Sequence, residues 1–423
     1  MATEFFYKAN PGSYIELLDS RFEYAVATYS EEINGTYIYT YSYEKEENWS
    51  TYNHDLREYQ TSKYKFGDER YFRISIKKRD NTPVTQDEAN VAADTIIRYV
   101  PALQLPEKED SLFESEILDT VEKINVFKKE DMVALCLLTD THYCINGTWE
   151  DTVRNVKEVH KRAPFDGIIH LGDLTDGMVS AEVTKAYVEK MLNDINSLEI
   201  PSYILQGNHD ANYFRGNQDI FTKEEQYQIY QKRSDPYVVR DDHNLWYYAD
   251  FSYANLRCLF LDSFDHEKQE RYGFPDEEIR WVQEVLAKTP PEYRILIFSH
   301  VPPTPEIHIW SETIRNGESL LTILENQNRI NHQIIGFIHG HNHTDQIFYK
   351  YSFPIISIGC NKCEYFSDKK PKGSTTPQRK LKDIDQDLWD VLLVNPKMGR
   401  LRFVRFGAGE DRIVMKKQLY ETN

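Results

Sequence analysis

The chain has 423 residues, of which 40% are hydrophobic and 28% charged, with a formal net charge of −18. That balance belongs to a globular rather than a disordered protein, and the length exceeds one typical core, so two or more domains are expected. The acidity argues against a nucleic acid polymer as partner, because such binding needs Lys and Arg to displace counterions; a small anion held through divalent metals stays compatible with it.

No apolar run approaches the ~20 residues that span a bilayer. The start, Met1-Ala-Thr-Glu-Phe-Phe-Tyr-Lys8, lacks the basic-then-apolar pattern of a secretory signal. A cytoplasmic protein without a membrane span is expected, with a phage particle or the cell surface as the alternative location. The five cysteines are Cys136, Cys144, Cys258, Cys360 and Cys363, an odd and low count that speaks against a disulfide framework. Cys360-Asn-Lys-Cys363 has the spacing of half a zinc knuckle, but no second pair exists, so plain thiols near a strand end are expected.

Residues 1–105 read as an all-β, β-sandwich-like domain. Tyr37-Ile-Tyr-Thr-Tyr-Ser-Tyr43 alternates with period 2, and Tyr71 to Lys78 does the same, placing Phe72, Ile74 and Ile76 on one face before Asp80-Asn-Thr-Pro83 breaks the pattern. The tyrosine row suits packing at a sheet surface, with stacking on sugar rings as the alternative. The stretch from Phe72 and the turn after it loosely resemble the β-sandwich accessory modules of bacterial surface and phage tail proteins. That resemblance implies contact with glycan or cell wall. Residues 106–130 are acidic and weakly periodic, and read as a linker with one short helix.

From Met132 the pattern changes to strands alternating with helices. Met132 to Leu138 is predicted as a buried strand, and Thr148-Trp-Glu-Asp151 matches a capping box opening a helix to about Arg162. Strands are predicted over 167–171, 202–206, 246–251, 256–261, 295–299, 334–339, 355–358, 389–394 and 401–406. Helices are predicted over 179–198, 222–233, 275–287 and 311–327. Alternation followed by strand pairs without intervening helices predicts an α+β fold with two packed sheets over 131–423. In Gly407-Ala-Gly-Glu-Asp411-Arg412 the glycines permit a tight turn, and Asp411 with Arg412 reads as a surface pair.

Five strand ends carry ligand-type residues: Asp140-Thr-His142, Gly172-Asp173, Gly207-Asn208-His209-Asp210, Ser299-His300 and Gly340-His341-Asn-His343. Strand carboxyl ends in open α/β sheets converge on one crevice, so residues distant in sequence meet there. Imidazoles and carboxylates without thiolates suit manganese, iron, zinc or nickel. The set is too large for one tetrahedral site, whereas two divalent metals ~3.5–4 Å apart, bridged by a carboxylate, use all of it. His170 and His339, within strands leading to these ends, read as packing or supporting residues, and Asp176 as a residue that orients a ligand or shapes a turn. His160, His243, His266 and His332 read as surface or satisfied core residues.

The ordered set of motifs resembles the calcineurin-like metallophosphoesterase superfamily over about residues 132–410. The resemblance implies a four-layer αββα sandwich and a binuclear metal centre. Asp140, His142 and His343 would bind one metal, Asn208, His300 and His341 the other, and Asp173 would bridge them. It further implies that a metal-bound hydroxide attacks phosphorus, that His209 assists the leaving group and that Asp210 orients the His209 ring. The function expected is hydrolysis of a phosphodiester or phosphomonoester. A nuclease of the DNA-repair type shares all five motifs and is the first alternative; the missing basic stripe counts against it. The second is a glycan-binding surface or phage-tail component whose metal domain trims a phosphate-containing polymer. Beyond the metal motifs, Arg215 is a candidate phosphate clamp and Tyr213 or Phe214 a stacking platform, against a solvated loop.

Overall fold

A computed structural model describes residues 7–9, 13–33, 36–40, 59, 63–66, 70–90, 92, 96–100, 111–144, 147–214, 216–231, 237–240, 243–364 and 370–415. The chain divides into two compact units, Met1–Asp110 and Ser111–Asn423.

The first unit is β-rich. Its strands are β1 (Tyr7–Ala9), β2 (Tyr14–Leu17), β3 (Phe22–Ile33), β4 (Thr36–Thr40), β5 (Tyr64–Lys65), β6 (Arg70–Lys78) and β7 (Ile97–Val100). They form two antiparallel sheets, ordered β1–β6–β3–β4 and β5–β2–β7. Phe72, Ile74 and Ile76 lie on one buried face of β6, as their alternation predicts, and share a core with Ile15 and Ile97 of the smaller sheet. The side chains of the tyrosine row Tyr37 to Tyr43 lie outside the described residues.

The second unit begins with a helix, Ser111–Phe127, where the sequence reading places a linker. Phe113, Ile117 and Ile124 recur at helical spacing and are buried in the core of this unit. The remaining strands are β8 (Val133–Leu138), β9 (Gly167–His170), β10 (Ser202–Ile204), β11 (Val238–Val239), β12 (Tyr247–Phe251), β13 (Leu256–Leu261), β14 (Arg294–Ser299), β15 (Ile334–His339), β16 (Gln346–Phe348), β17 (Ile355–Ser357), β18 (Leu388–Asn395), β19 (Arg400–Gly407) and β20 (Arg412–Met415). One sheet has the order β10–β9–β8–β18–β19–β20, the other β11–β12–β13–β14–β15–β17–β16. Strands β8, β9 and β10 are parallel, as are β13, β14, β15 and β17. The rest are antiparallel additions at the sides.

Buried strands show why four layers form. Along β8, Val133, Leu135 and Leu137 face the second sheet, while Ala134, Cys136 and Leu138 face helices. Helices Ser111–Phe127, Trp149–Arg162 and Ala181–Asn196 cover the outer face of the first sheet, and Asp276–Lys288 and Gly317–Asn331 that of the second. The two sheets meet through Leu135, Ile169, Leu392 and Phe403 on one side and Phe260, Leu296, Phe298 and Ile338 on the other. The fold is the expected α+β, αββα arrangement.

Two local expectations change. Thr148 makes no side-chain cap hydrogen bond; burial of Trp149, Val156 and Val159 carries that helix instead. A reciprocal capping box forms at Thr222 and Glu225. The helix expected from Ser311 starts at Gly317, because Arg315 is held in extended pairing, its N–H donating to Tyr272 O (2.9 Å) and its carbonyl accepting from Phe274 N–H (3.0 Å). Among the described residues no helix is long and apolar enough to cross a membrane.

A buried ion network ties the last strands to the loop after β15. Arg405, 2% exposed, donates to Asp390 Oδ1 (2.9 Å) and to Asp345 Oδ1 (2.8 Å). Arg412 engages both carboxylates too, rather than Asp411. Asp411 instead accepts from Arg405 N–H (2.9 Å) and meets Lys123. Removing one member strands buried charge. Arg405→Ala is expected to destabilise the second unit by about 3–5 kcal/mol, read as a lower urea midpoint; a change under about 1 kcal/mol would show that the network contributes little.

Candidate metal centre

Each candidate ligand follows a parallel strand. Asp140 and His142 come after β8, Asp173 after β9, Asn208 after β10, His300 after β14, and His341 and His343 after β15. Asp140, His142, Asp173, His341 and His343 all have φ of 43–67°, the left-handed region that non-glycine residues rarely occupy. Each such residue costs of order 1–3 kcal/mol, so surrounding contacts must hold it. Asp140 N–H donates to Gly172 O (3.0 Å), His142 N–H to Asp173 O (3.0 Å) and Gly340 N–H to His300 O (3.1 Å). Close nesting of these loops requires two glycines. A Cβ on Gly207 would lie 2.1 Å from Asp173 Oδ1, and one on Gly340 would lie 2.1 Å from Thr139 Oγ1.

The side chains gather into two donor groups that share Asp173. Asp140, His142, Asp173 and His343 form one, and Asp173, His300 and His341 the other; within each, donor atoms lie within 4.8 Å of one another. His142 Nε2 and His343 Nε2 are 3.2 Å apart, and His343 Nε2 is 3.1 Å from Asp140 Oδ1. In the second group His300 Nε2 stands 3.2 Å from Asp173 Oδ2, 3.2 Å from His341 Nδ1 and 3.2 Å from Asn208 Oδ1. All seven residues named in the sequence are thus brought together.

The arrangement fits cations. Ligand atoms ~2.1 Å from a shared ion stand ~3 Å apart, which matches these separations. Asp140 Oδ1 is buried with no contact of hydrogen-bond geometry, His343 Nε2 standing beside it at 3.1 Å as an ion-pair contact. Burial raises the pKa of Asp140, but the His343 and His300 rings outweigh it and hold the carboxyl below the ordinary carboxylate range. Asp173 is likewise held low, by His300 and His209 against its burial. Burial disfavours charge on His300, but Asp173 and Asp140 overcome it and raise the ring's pKa to about 9. Two buried carboxylates therefore draw positive charge to one place, from ring protons or from metal.

Supporting contacts fix the rings. His300 Nδ1 donates to Leu171 O (3.0 Å), which leaves Nε2 for a ligand bond. Asp176 Oδ1 is 3.1 Å from His142 Nδ1. Thr139 Oγ1 and His341 N–H both donate to Asp140 Oδ2, at 2.6 and 3.0 Å. His170 accepts from Gly172 N–H (3.2 Å) and donates to Thr141 Oγ1 (2.8 Å), and His339 Nδ1 donates to Gly340 O (2.9 Å). Both rings stay neutral, their pKa lowered by burial to about 3 and about 4.

His209 sits at the rim, its side chain 13% exposed, with Nε2 3.8 Å from Asp173 Oδ2. Its ring is oriented by the Asp176 main-chain carbonyl, which takes Nδ1–H at 2.7 Å, and by Phe214, whose ring centroid is 4.5 Å away. Asp210 does not orient it, contrary to the sequence expectation. Its carboxylate points beneath the turns and accepts N–H bonds from Leu174 (2.9 Å) and Gly207 (2.8 Å), stapling the loop after β9 to the loop after β10. Tyr213 packs against His266 and Phe264. Arg215 lies outside the described residues.

One supporting residue escaped the sequence reading. Glu364 contacts His343 Nδ1 and is half-buried beside Cys360, on a loop that follows β17. The signal existed: Ile355-Ile-Ser-Ile358 is a further apolar run ending at a glycine, Gly359, as those before Gly172, Gly207 and Gly340 do.

A model of the calcineurin-like phosphoesterase family matches residues 134–345, half of the chain, and all seven candidate ligands fall inside the match. The chain belongs to that family. YvnB, an uncharacterized protein of Bacillus subtilis strain 168, is 24% identical over 177 residues, which are 40% of this chain. The chain spans only 13% of that relative's length. Among solved structures, a dimetal phosphatase from Danio rerio is similar at 15% identity and TM-score 0.47, over 67% of this chain and 99% of that one. A putative 5′-nucleotidase of Staphylococcus aureus is similar at 12% identity and TM-score 0.36, over 67% of this chain and 54% of that one.

Ring-orienting carboxylates typically change metal affinity 10–100-fold. Glu364→Ala is expected to weaken binding of one of two metal equivalents by about that factor in titration calorimetry; unchanged affinity for both would assign Glu364 to packing alone.

Proposed function

We propose that the chain hydrolyses phosphoric esters, monoesters or diesters, with two divalent cations. Asp140, His142 and His343 would hold one, Asn208, His300 and His341 the other, and Asp173 both. The observation that carries this reading is the placement of Asp173 Oδ2, 3.2 Å from His300 Nε2 and 3.7 Å from His142 Nε2, so that one carboxylate belongs to both donor groups. Cations held there supply Lewis acidity, which lowers the pKa of water and offsets charge on phosphoryl oxygens.

The chain's own groups do the rest. Asp173 is kept in place by His209 N–H, which donates to Oδ1 at 2.9 Å. Nδ1–H of His209 is committed to the Asp176 carbonyl, so a proton given to a leaving oxygen comes from Nε2, and the ring acts as an acid in its imidazolium form. Phe214 shields one side of that ring from water. A nuclease reading has less support, since a chain of net charge −18 is poorly suited to a polyanionic backbone.

Asp173→Ala is expected to lose bound metal and turnover together; retention of two equivalents by elemental analysis would refute the shared ligand. His209→Ala should keep its metal and lose about 10²–10⁴ in rate, more for an alkyl than for a nitrophenyl ester. An equal loss on both would remove His209 from the leaving-group side.

A further inference from the structure

Rings wall the second donor group. The Tyr272 ring centroid lies 5.1 Å from that of His341, and the His308 centroid lies 4.8 Å from both. Phe264, at 5.6 Å, covers Tyr272 from a further direction. The main chain here is fixed as well. Tyr272 O accepts from Arg315 N–H (2.9 Å), and Tyr272 forms an antiparallel bridge with Phe264. At the next residue, Gly273, φ is 133° and a Cβ would meet Arg315 O at 2.2 Å, so glycine is required where the two segments meet. His308 Nδ1 accepts from Trp310 N–H (3.0 Å) and Ser311 N–H (2.7 Å). Ile307 O accepts from Asn342 Nδ2 (2.6 Å), which ties the His308 turn to the loop carrying His341 and His343.

The Tyr272 hydroxyl has no such tie. The residue is half-buried, and among the described residues its hydroxyl makes no hydrogen bond. The ring nitrogens beside it stay unused: Nε2 of His308 and Nε2 of His341 are both buried without a partner. The hydroxyl is not buried with them, so it opens on solvent past the two histidines. Burial and, after it, the Asp173 carboxylate raise the phenol's pKa to about 12, so the hydroxyl lies within electrostatic reach of the shared ligand. A phenol that stays protonated remains a donor.

We propose that the Tyr272 hydroxyl donates a hydrogen bond to a non-bridging phosphoryl oxygen of the ester, on the side of the Asn208–His300–His341 group. This rests on the phosphoesterase reading above. His209 stands beside the other group, its ring centroid 4.8 Å from that of His142. The two residues therefore serve different oxygens, His209 the leaving one and Tyr272 one that stays on phosphorus. Enclosure of the Tyr272 ring fixes its side chain before substrate arrives, so little entropy is lost on binding. A hydrogen bond to a charged oxygen is among the stronger ones, and a neutral donor is not repelled by cations held nearby.

The test uses the full chain loaded with manganese, as the unsubstituted protein, Tyr272→Phe and Tyr272→Ala. Tyr272→Phe keeps the ring and removes a hydroxyl that no described residue uses, so its melting temperature and both metal equivalents are expected to stay. It should lose about 10-fold or more in kcat/KM, by the same factor on an alkyl and on a nitrophenyl ester. Unchanged kcat/KM in Tyr272→Phe would overturn the proposal; loss of rate and metal in Tyr272→Ala alone would mean that the ring acts by packing on His341. A loss confined to the alkyl ester would place the hydroxyl at the leaving oxygen and overturn it too, as would loss of metal from Tyr272→Phe by elemental analysis. If the unsubstituted protein cleaves neither ester, the phosphoesterase reading fails, and calorimetric binding of inorganic phosphate decides Tyr272 separately. Affinity about 10-fold weaker in Tyr272→Phe supports the contact. Equal affinity, or no binding by the unsubstituted protein, overturns it.

Discussion

Two carboxylates buried within a few ångströms of each other, Asp140 and Asp173, are the constraint around which the second unit is arranged. Neither can stay charged at such depth without positive charge beside it. Strand ends from both sheets supply imidazoles to that point, and the loops carrying them adopt left-handed backbone conformations to do so. The four-layer core is rigid enough to hold those conformations, because its central strands are buried on both faces. Strain at the centre and packing around it are parts of one arrangement.

The centre is supported on three levels. Backbone hydrogen bonds lock neighbouring loops, as between Asp140 and Gly172. Side-chain acceptors orient single rings, as Leu171 O does for His300 and Glu364 for His343. Farther out, the Arg405 and Arg412 network braces Asp345, two residues beyond His343, and Asp345 Oδ1 in turn accepts Gly359 N–H (3.0 Å) at the start of the Glu364 loop. A substitution at the last level acts on the ligand geometry through the backbone, without touching a ligand.

Much of this was legible in the sequence because strand ends announce themselves. An apolar run that gives way to Asp, Asn or His, through a glycine at Gly172, Gly207 and Gly340 and without one before Asp140 and His300, marks a ligand, and the five such places gave all seven candidates. The β6 alternation likewise gave the correct buried face, and the apolar run of β8 a correctly buried strand. What was hidden depends on contacts that adjacency does not encode. Asp210 follows His209 directly, yet neighbouring residues on a turn point apart, and the ring found the Asp176 carbonyl. Glu364 lies far from His343 in sequence and belongs to no motif. The helix over 111–127 was obscured by its acidic surface and by Thr120 within its buried stripe. Thr148 has the right residue type for a cap but the wrong backbone, with ψ of 6°.

The shared role of Asp173 is the centre of the account, and electron paramagnetic resonance of the manganese-loaded chain addresses it most directly. Two manganese ions bridged by one carboxylate are spin-coupled, so at two equivalents the spectrum is expected to show exchange-coupled features in place of the six-line pattern of an isolated ion. A six-line spectrum that only grows in intensity up to two equivalents would mean that the ions sit apart, and would contradict it.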